Sequence, residues 1–136
     1  MRQMFFGVFV AAAGLAVASM PVAAHHGAAS FDTERELTLT GTVTEWIWSN
    51  PHCFLKFDVK DESGTVTNWV AEVQNPTDMT RRGWARTSFR PGDAVTVTVQ
   101  AVKSGAPIAR IRTVILANGQ TLSATGPGPA APAPAR

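Results

Sequence analysis

The chain has 136 residues, of which 45% are hydrophobic and 16% charged, a length and composition typical of one globular domain and too short for two. Its 12 Lys and Arg residues barely outnumber its 10 Asp and Glu residues, so it lacks the excess positive charge with which proteins bind nucleic-acid phosphates. A single cysteine, Cys53, excludes an internal disulfide, and the domain must be stabilised by its hydrophobic core.

Residues 1–24 are predicted to be a cleavable secretory signal peptide. Arg2 is the short positive start, residues 4–18 are uncharged and mostly apolar, and Val22 and Ala24 are the small residues found before a signal-peptidase cut. A spanning helix needs about 20 apolar residues, so we expect cleavage, no stable membrane anchor after processing, and a periplasmic or secreted location. Because an exported chain does not meet nucleic acid, we expect no nucleic-acid partner.

The first folded element is predicted to be a bent strand. The sequence ELTLTGTVTEW (residues 36–46) alternates apolar or small residues with threonines, which indicates a strand with one buried face. The inward residues are Leu37, Leu39, Gly41 and Val43. After Glu45 the phase slips to Trp46 and Trp48, as a β-bulge or a strong bend would produce.

The next two strands are predicted to form a hairpin. Residues 52–61 and 66–73 each alternate apolar with polar residues, which is typical of half-buried strands. Between them, residues 61–65 read DESGT, a turn of the kind that joins hairpin strands. Cys53 lies in the first of these strands, where we interpret it as a small buried apolar residue rather than a reactive thiol.

A short helix is predicted to follow the hairpin. In NPTDMTRRGW (residues 75–84), Asn75 is of the capping type, Pro76 suits the first helical position and Gly83 is a stop signal. This pattern predicts a helix of about two turns.

Two or three strands complete the predicted domain. After a tight turn at residues 90–93, alternating valines predict a strand, and residues 108–116 (IARIRTVIL) predict another. Its inner residues are expected to be Ala109, Ile111, Thr113 and Ile115. A turn at Asn118 and Gly119 leads into a short last strand. Residues 125–136 are rich in Pro and Ala and are predicted to be a disordered tail.

The order of these elements predicts the fold. Three strands, a short helix and two or three further strands match the oligonucleotide/oligosaccharide-binding (OB) barrel, a Greek-key barrel with its helix between strands three and four. Gly41 and the phase slip at Glu45 fit a coiled first strand that serves both halves of the closed sheet. We therefore expect an all-β, five- to six-stranded OB-like barrel over residues 25–124. The alternative is an open β-sandwich, with which the helix fits less well.

Several short strings carry a resemblance to a known family. They are AHHGAASFD, LTGTVTEWIWSNPH, VTNWVAEV, RRGW, RPGDAVTVTV and LANGQTL. Together they resemble a family of small exported bacterial proteins known only as a domain of unknown function. The resemblance covers nearly the whole chain between the signal and the tail, and it implies a periplasmic β-barrel-like domain without an established activity. The chain departs from the family pattern where HHGAAS replaces His-His-Ser-Phe and where Cys53 replaces an apolar residue.

The sequence shows no arrangement typical of a catalytic site. His52 adjoins Cys53, but neighbours along a strand point to opposite faces, so a Cys–His dyad is not expected. The sequence contains neither a glycine-rich phosphate loop nor paired carboxylates. We interpret four charged residues as strand-surface groups: Asp58, Glu72, Arg110 and Arg112. The protein is therefore not expected to be an enzyme.

The three histidines predict a metal site. Cleavage after Ala24 would make His25 the first residue, whose α-amine and imidazole Nδ1 can chelate one ion while His52 or His26 supplies another imidazole. Cleavage after Ala23 would give Ala24-His25-His26, in which the amine, two amides and the third-position imidazole form a square-planar site for copper or nickel. Both sets of nitrogen donors favour Cu(II). The candidate ligands are therefore His25, His26 and His52, and the candidate cofactor is Cu(II).

The alternative function is a binding groove without a metal. Aromatic rings can stack on apolar faces while Arg and Asn fix hydroxyls or carboxylates. The candidate groove residues are Trp46, Trp48, Asn50, Arg81 and Arg82. The partner would be a glycan, a peptide, another small ligand or an exported protein. The competing interpretation is structural, with Trp69 in the core and Trp84 packing the end of the helix against the barrel.

Overall fold

The computed structural model describes Gly27 and residues 30–126. The predicted signal peptide, His25, His26 and residues 127–136 of the predicted tail lie outside these residues. Six strands and one short helix follow one another along the chain. They are β1 (Leu37–Ile47), β2 (Cys53–Lys60), β3 (Val66–Val73), α1 (Pro76–Arg81), β4 (Ala94–Ala101), β5 (Ile108–Leu116) and β6 (Thr121–Ser123).

The strands form one closed barrel. Their spatial order is β3-β2-β1-β4-β5-β6, and β3 also pairs with β5 in parallel, which closes the sheet on itself. Five strands make the barrel, and β6 is an additional short strand on β5. With α1 between β3 and β4, this arrangement confirms the predicted all-β, OB-like barrel, in which closure leaves few unpaired strand edges.

Strand β1 belongs to both halves of the barrel, as its sequence predicts. Residues 37–42 pair with β4, and residues 42–47 pair with β2. The register with β2 shifts between Val43 and Glu45. This bulge is the phase slip predicted from the two tryptophans, and it lies just before the position inferred from the sequence.

The core fills the inside of the barrel, and the helix end covers it. The predicted alternation is confirmed in β2 and β4, whose inward residues Leu55, Phe57, Val95, Val97 and Val99 are buried. Trp84, just after the helix, is only 1% exposed and belongs to the same core, which confirms the predicted packing of the helix end. Trp69 is half-buried and packs against this core.

The predicted inner face of β5 is correct only in its first half. Thr98 pairs with Thr113 but Val99 pairs with Ile111, so Arg112 is an extra residue in β5. A bulge of this kind reverses which side chains face inward. Val114 is therefore buried, whereas Ile115, predicted to face the core, is 43% exposed.

The helix has the predicted ends. The Asn75 side chain accepts a hydrogen bond from the backbone N–H of Asp78 at 3.0 Å, which satisfies one of the free donors at a helix start. Gly83 has a φ of +85°, a backbone conformation that favours glycine after a helix. Among the residues that the structure describes, no helix has the length and apolar character needed to span a membrane.

Candidate functional site

The segment that follows the predicted N-terminal histidines is fixed to the barrel at the β4–β5 loop. Ser30 accepts a hydrogen bond from Lys103 N–H at 2.9 Å, and Asp32 N–H donates to the Ala101 carbonyl at 2.8 Å. Between them, Phe31 is 1% exposed, and the Arg110 guanidinium carbon lies 4.5 Å from the centroid of its ring. This cation–π contact and the backbone hydrogen bonds anchor the segment at Phe31.

On the outside of the barrel, the Arg110 side chain that contacts Phe31 also forms an ion pair with Glu72. Arg110 Nη2 lies 3.3 Å from Glu72 Oε1, with side chains 28% and 19% exposed. Glu72 pairs in register with Arg110 on β5 and with Phe54 on β2. Glu72 and Arg110 lie on the outer faces of their strands, as predicted, but closure of β3 against β5 brings them together and partly buries them.

Arg112 also has an intramolecular partner. Its Nε lies 3.2 Å from Glu36 Oε1, just before β1, with 36% and 48% of the two side chains exposed. Arg112 is therefore a surface residue, as predicted. An exposed ion pair of this kind contributes little to stability.

His52 lies on the same outer face, at the start of β2. Its ring centroid is 6.5 Å from that of Phe54, and Nδ1 is 3.1 Å from the Val73 carbonyl oxygen at the end of β3. Since a carbonyl oxygen only accepts hydrogen bonds, Nδ1 is the donor here, and in a neutral imidazole the lone pair then lies on Nε2. The β1–β2 loop is held by a hydrogen bond from Ser49 Oγ to the His52 carbonyl at 3.1 Å.

The metal site predicted from the three histidines falls only partly within the described residues. His52 is placed, with one nitrogen able to bind a cation, whereas His25 and His26 lie outside. Within Gly27 and residues 30–126, no three His, Cys, Asp or Glu side chains are grouped as metal ligands.

Cys53 points into the barrel, away from His52. It is fully buried, and its Sγ lies 3.8 Å from the Ser49 carbonyl oxygen. Burial raises the pKa of the thiol, and a hydrogen bond with Ser49 and the charge of Arg86 offset this only in part. The interpretation of Cys53 as a small buried apolar residue is confirmed.

Native protein is therefore expected to resist thiol alkylation. At pH 8, iodoacetamide should modify Cys53 at least about tenfold more slowly in the folded protein than in the urea-unfolded chain, because only an accessible thiolate reacts. A raised pKa also means that less thiolate forms at any given pH. Mass spectrometry of timed samples measures both rates, and glutathione in the same urea solution corrects for reagent effects. Equal rates in the two states would contradict this placement.

The two tryptophans of the predicted groove lie at the C-terminal end of β1 and belong to an aromatic cluster. The ring centroid of Trp46 lies 5.6 Å from that of Trp48, 5.9 Å from that of Trp84 and 5.0 Å from that of Phe89. Trp46 and Trp48 are half-buried, and Trp46 Nε1 donates to the Ala85 carbonyl at 3.1 Å. The structure thus brings the two tryptophans together, with the indole N–H of Trp46 used inside the protein.

The polar members of the predicted groove have different surroundings. Asn50 is exposed in the β1–β2 loop. Arg81 forms an exposed ion pair with Asp78 at 3.4 Å, and the Arg82 guanidinium donates to the Gly126 carbonyl. Both arginines therefore have partners within the chain.

The RRGW string has a structural role that the sequence alone did not indicate. Trp84 Nε1 donates to the Ser123 carbonyl at 2.8 Å, and Arg82 donates to the Gly126 carbonyl. The two side chains therefore fasten the end of β6 to the end of the helix. Nothing local in the sequence links residues about 40 positions apart.

Comparison with known proteins identifies a family but no activity. The model of a family described as "Family of unknown function (DUF6152)" matches residues 12–109, which span β1 to β4 and the start of β5. This match confirms the resemblance drawn from the short strings. No curated protein matches the chain.

Proposed function

Because the chain belongs to the DUF6152 family, whose function is unknown, we propose a function from its own residues: it is an exported, non-enzymatic protein that binds Cu(II). With cleavage after Ala24, the ligands are the α-amine and imidazole of His25 at the mature N-terminus, together with the Nε2 nitrogen of His52 or the imidazole of His26. Three nitrogen donors of this kind suit the tetragonal geometry of Cu(II) and its high place in the divalent affinity series.

The observation that carries this proposal is the hydrogen bond between His52 Nδ1 and the Val73 carbonyl oxygen. Metal-binding histidines usually donate their second ring nitrogen to a carbonyl or carboxylate, which fixes the ring and leaves the other nitrogen for the metal. His52 is held in this way, and it is half-buried rather than freely rotating at the surface.

The anchoring of the N-terminal segment supports a shared site. Phe31 lies against Arg110 on β5, and His52 immediately precedes β2, which is two strands away across β3. Two strand spacings amount to roughly 10 Å. The six residue-to-residue steps from His25 to Phe31 span up to about 20 Å when extended. The hydrogen bond from Ser30 N–H to the Gly27 carbonyl shortens that span. The shortened span is still comparable with the distance between β5 and β2.

The test is a copper titration of the exported, processed protein. Intact mass with and without copper gives the first residue and the metal stoichiometry. We expect one tightly bound Cu(II) with a visible d–d absorption band, and His25→Ala and His52→Ala should each weaken binding by at least about tenfold. Ser49→Ala, which removes the hydrogen bond to the His52 carbonyl but keeps the imidazole, is the matched control and should bind like the wild type.

Two results would overturn the proposal. One is the absence of a stoichiometric complex, and the other is a complex that is indifferent to His25→Ala. A complex that needs His25 but not His52 would reject the shared site and restrict the metal to the N-terminus.

The second candidate function is a metal-free binding surface at Trp46 and Trp48. It is favoured by the 5.6 Å approach of the two half-buried rings beside the exposed β1–β2 loop, since paired aromatic rings are common where sugars or peptides bind. In the same titration series, tryptophan fluorescence that responds to cell-wall glycan fragments but not to copper would favour this candidate over the first.

A further inference from the structure

A cleft is lined by residues of the N-terminal segment and of the β4–β5 loop. Its volume is about 210 Å³, and it opens to solvent. Its lining includes the apolar residues Leu37, Ala101 and Val102, with Arg35 from the N-terminal segment and Lys103 from the β4–β5 loop. Among the described residues, neither His52 nor the tryptophan pair lines this cleft.

The two cations of the cleft have no acidic partner within the described residues. The ion pairs there involve neither Arg35 nor Lys103, and both residues are exposed. Asp32 also lines the cleft, but its Oδ1 accepts the backbone N–H of Glu34 at 3.3 Å. Glu36 pairs with Arg112. The cleft therefore presents two positive groups and one carboxylate, that of Asp32, beside apolar side chains.

The walls of the cleft are held in place by backbone hydrogen bonds. Asp32 N–H donates to Ala101, Lys103 N–H to Ser30, and Val102 N–H to Ile108, all at 2.8–2.9 Å. The buried ring of Phe31 fastens the N-terminal wall from below. A ligand would therefore meet a preformed site and would not have to order the loop, which lowers the cost of binding.

We propose that this cleft binds a small carboxylate that carries an apolar substituent. The guanidinium of Arg35 can hold both carboxylate oxygens through parallel N–H donors, and the ammonium of Lys103 adds a point charge from the other wall. The apolar substituent lies on Leu37 and Val102. The volume is below the 300–1,000 Å³ of pockets for drug-sized ligands, so the cleft accommodates a free short-chain acid or the C-terminal residue of a peptide.

Titration of metal-free, ¹⁵N-labelled protein with 4-methylpentanoate tests the proposal. We expect saturable shifts of the backbone amides of residues 101–105, with a Kd on the order of 1 mM. The primary amide of the same acid should not saturate, because it lacks the charge. N-acetyl-Gly-Leu with a free or an amidated C-terminus forms the peptide arm. Saturation by the free acid alone assigns the site to small carboxylates, and saturation by the free-terminus peptide assigns it to peptide ends.

Variants distinguish specific binding in the cleft from a general attraction of the carboxylate to positive charge. Arg35→Gln should weaken 4-methylpentanoate binding by about tenfold, since charge-assisted hydrogen bonds are lost, and Lys103→Gln should weaken it less. Lys60→Gln removes an exposed cation at the far end of β2 and should change nothing. Equal binding of acid and amide, unaltered binding by Arg35→Gln, or shifts that never saturate would each overturn the proposal. Because the protein is metal-free, none of these results depends on copper.

Discussion

Trp84→Ala is expected to lower the free energy of unfolding by about 3–5 kcal/mol. Trp84 is 1% exposed, and its ring centroid is 5.9 Å from Trp46 and 5.6 Å from Phe89. Alanine would leave a large cavity at the helix end of the barrel, and it would remove the hydrogen bond to the Ser123 carbonyl. Small domains have a total stability of about 5–15 kcal/mol, so this loss is a large fraction of the total.

Urea unfolding followed by far-ultraviolet circular dichroism measures this loss without relying on tryptophan fluorescence. The midpoint should fall with little change in slope, because the surface exposed on unfolding stays similar. Trp69→Ala is the matched control: Trp69 is half-buried and lies outside the aromatic cluster, so its loss should cost clearly less. A Trp84→Ala midpoint equal to that of the wild type, or a larger loss for Trp69→Ala, would contradict the described core.

A second variant divides the effect of Trp84 into packing and hydrogen bonding. Trp84→Phe keeps most of the ring volume but leaves the Ser123 carbonyl without its indole donor. An unsatisfied buried acceptor costs about 1–3 kcal/mol, so this variant should lie between wild type and Trp84→Ala.

The sequence predicted the elements of this fold well because their signals are local. A two-residue period marks a half-buried strand, and Asn75, Pro76 and Gly83 mark the helix ends. The failure in β5 has a physical cause. Arg112 bulges out of the ladder with β4, and a bulge is set by how two distant strands fit around the barrel. The sequence of β5 by itself alternates as that of an unbroken strand would.

The candidate site was predicted less completely. His52 was identified from the sequence, but the row from Phe31 through Arg110 and Glu72 to Phe54 was missed. It depends on the parallel pairing of β3 with β5, which joins residues 38 positions apart and leaves no local pattern. The usable signal was Phe31 itself, a single large apolar residue in an otherwise polar segment. Such a residue is usually buried against something.

Gly41→Ala is expected to lower the free energy of unfolding by about 1–3 kcal/mol. A Cβ atom at this position would lie 2.4 Å from the Asp58 carbonyl oxygen and 3.1 Å from Phe57 Cδ2. The carbonyl belongs to the backbone of β2, which β1 crosses at this point as it changes partners. The collision therefore cannot be relieved by turning a side chain, and the strands of the barrel have to move apart.

The sign of this effect makes the test decisive. In a position with free space, replacing glycine by alanine in a strand would stabilise the protein by about 0.4–1 kcal/mol, since alanine restricts the unfolded chain. A higher urea concentration at the unfolding midpoint of Gly41→Ala would therefore show that β1 and β2 do not approach closely at Gly41. Thr38→Ala, at an exposed position of the same strand, is the control and should change stability by no more than about 0.5 kcal/mol. A loss confined to Gly41 would place the close crossing of the barrel where the sequence predicted its bend.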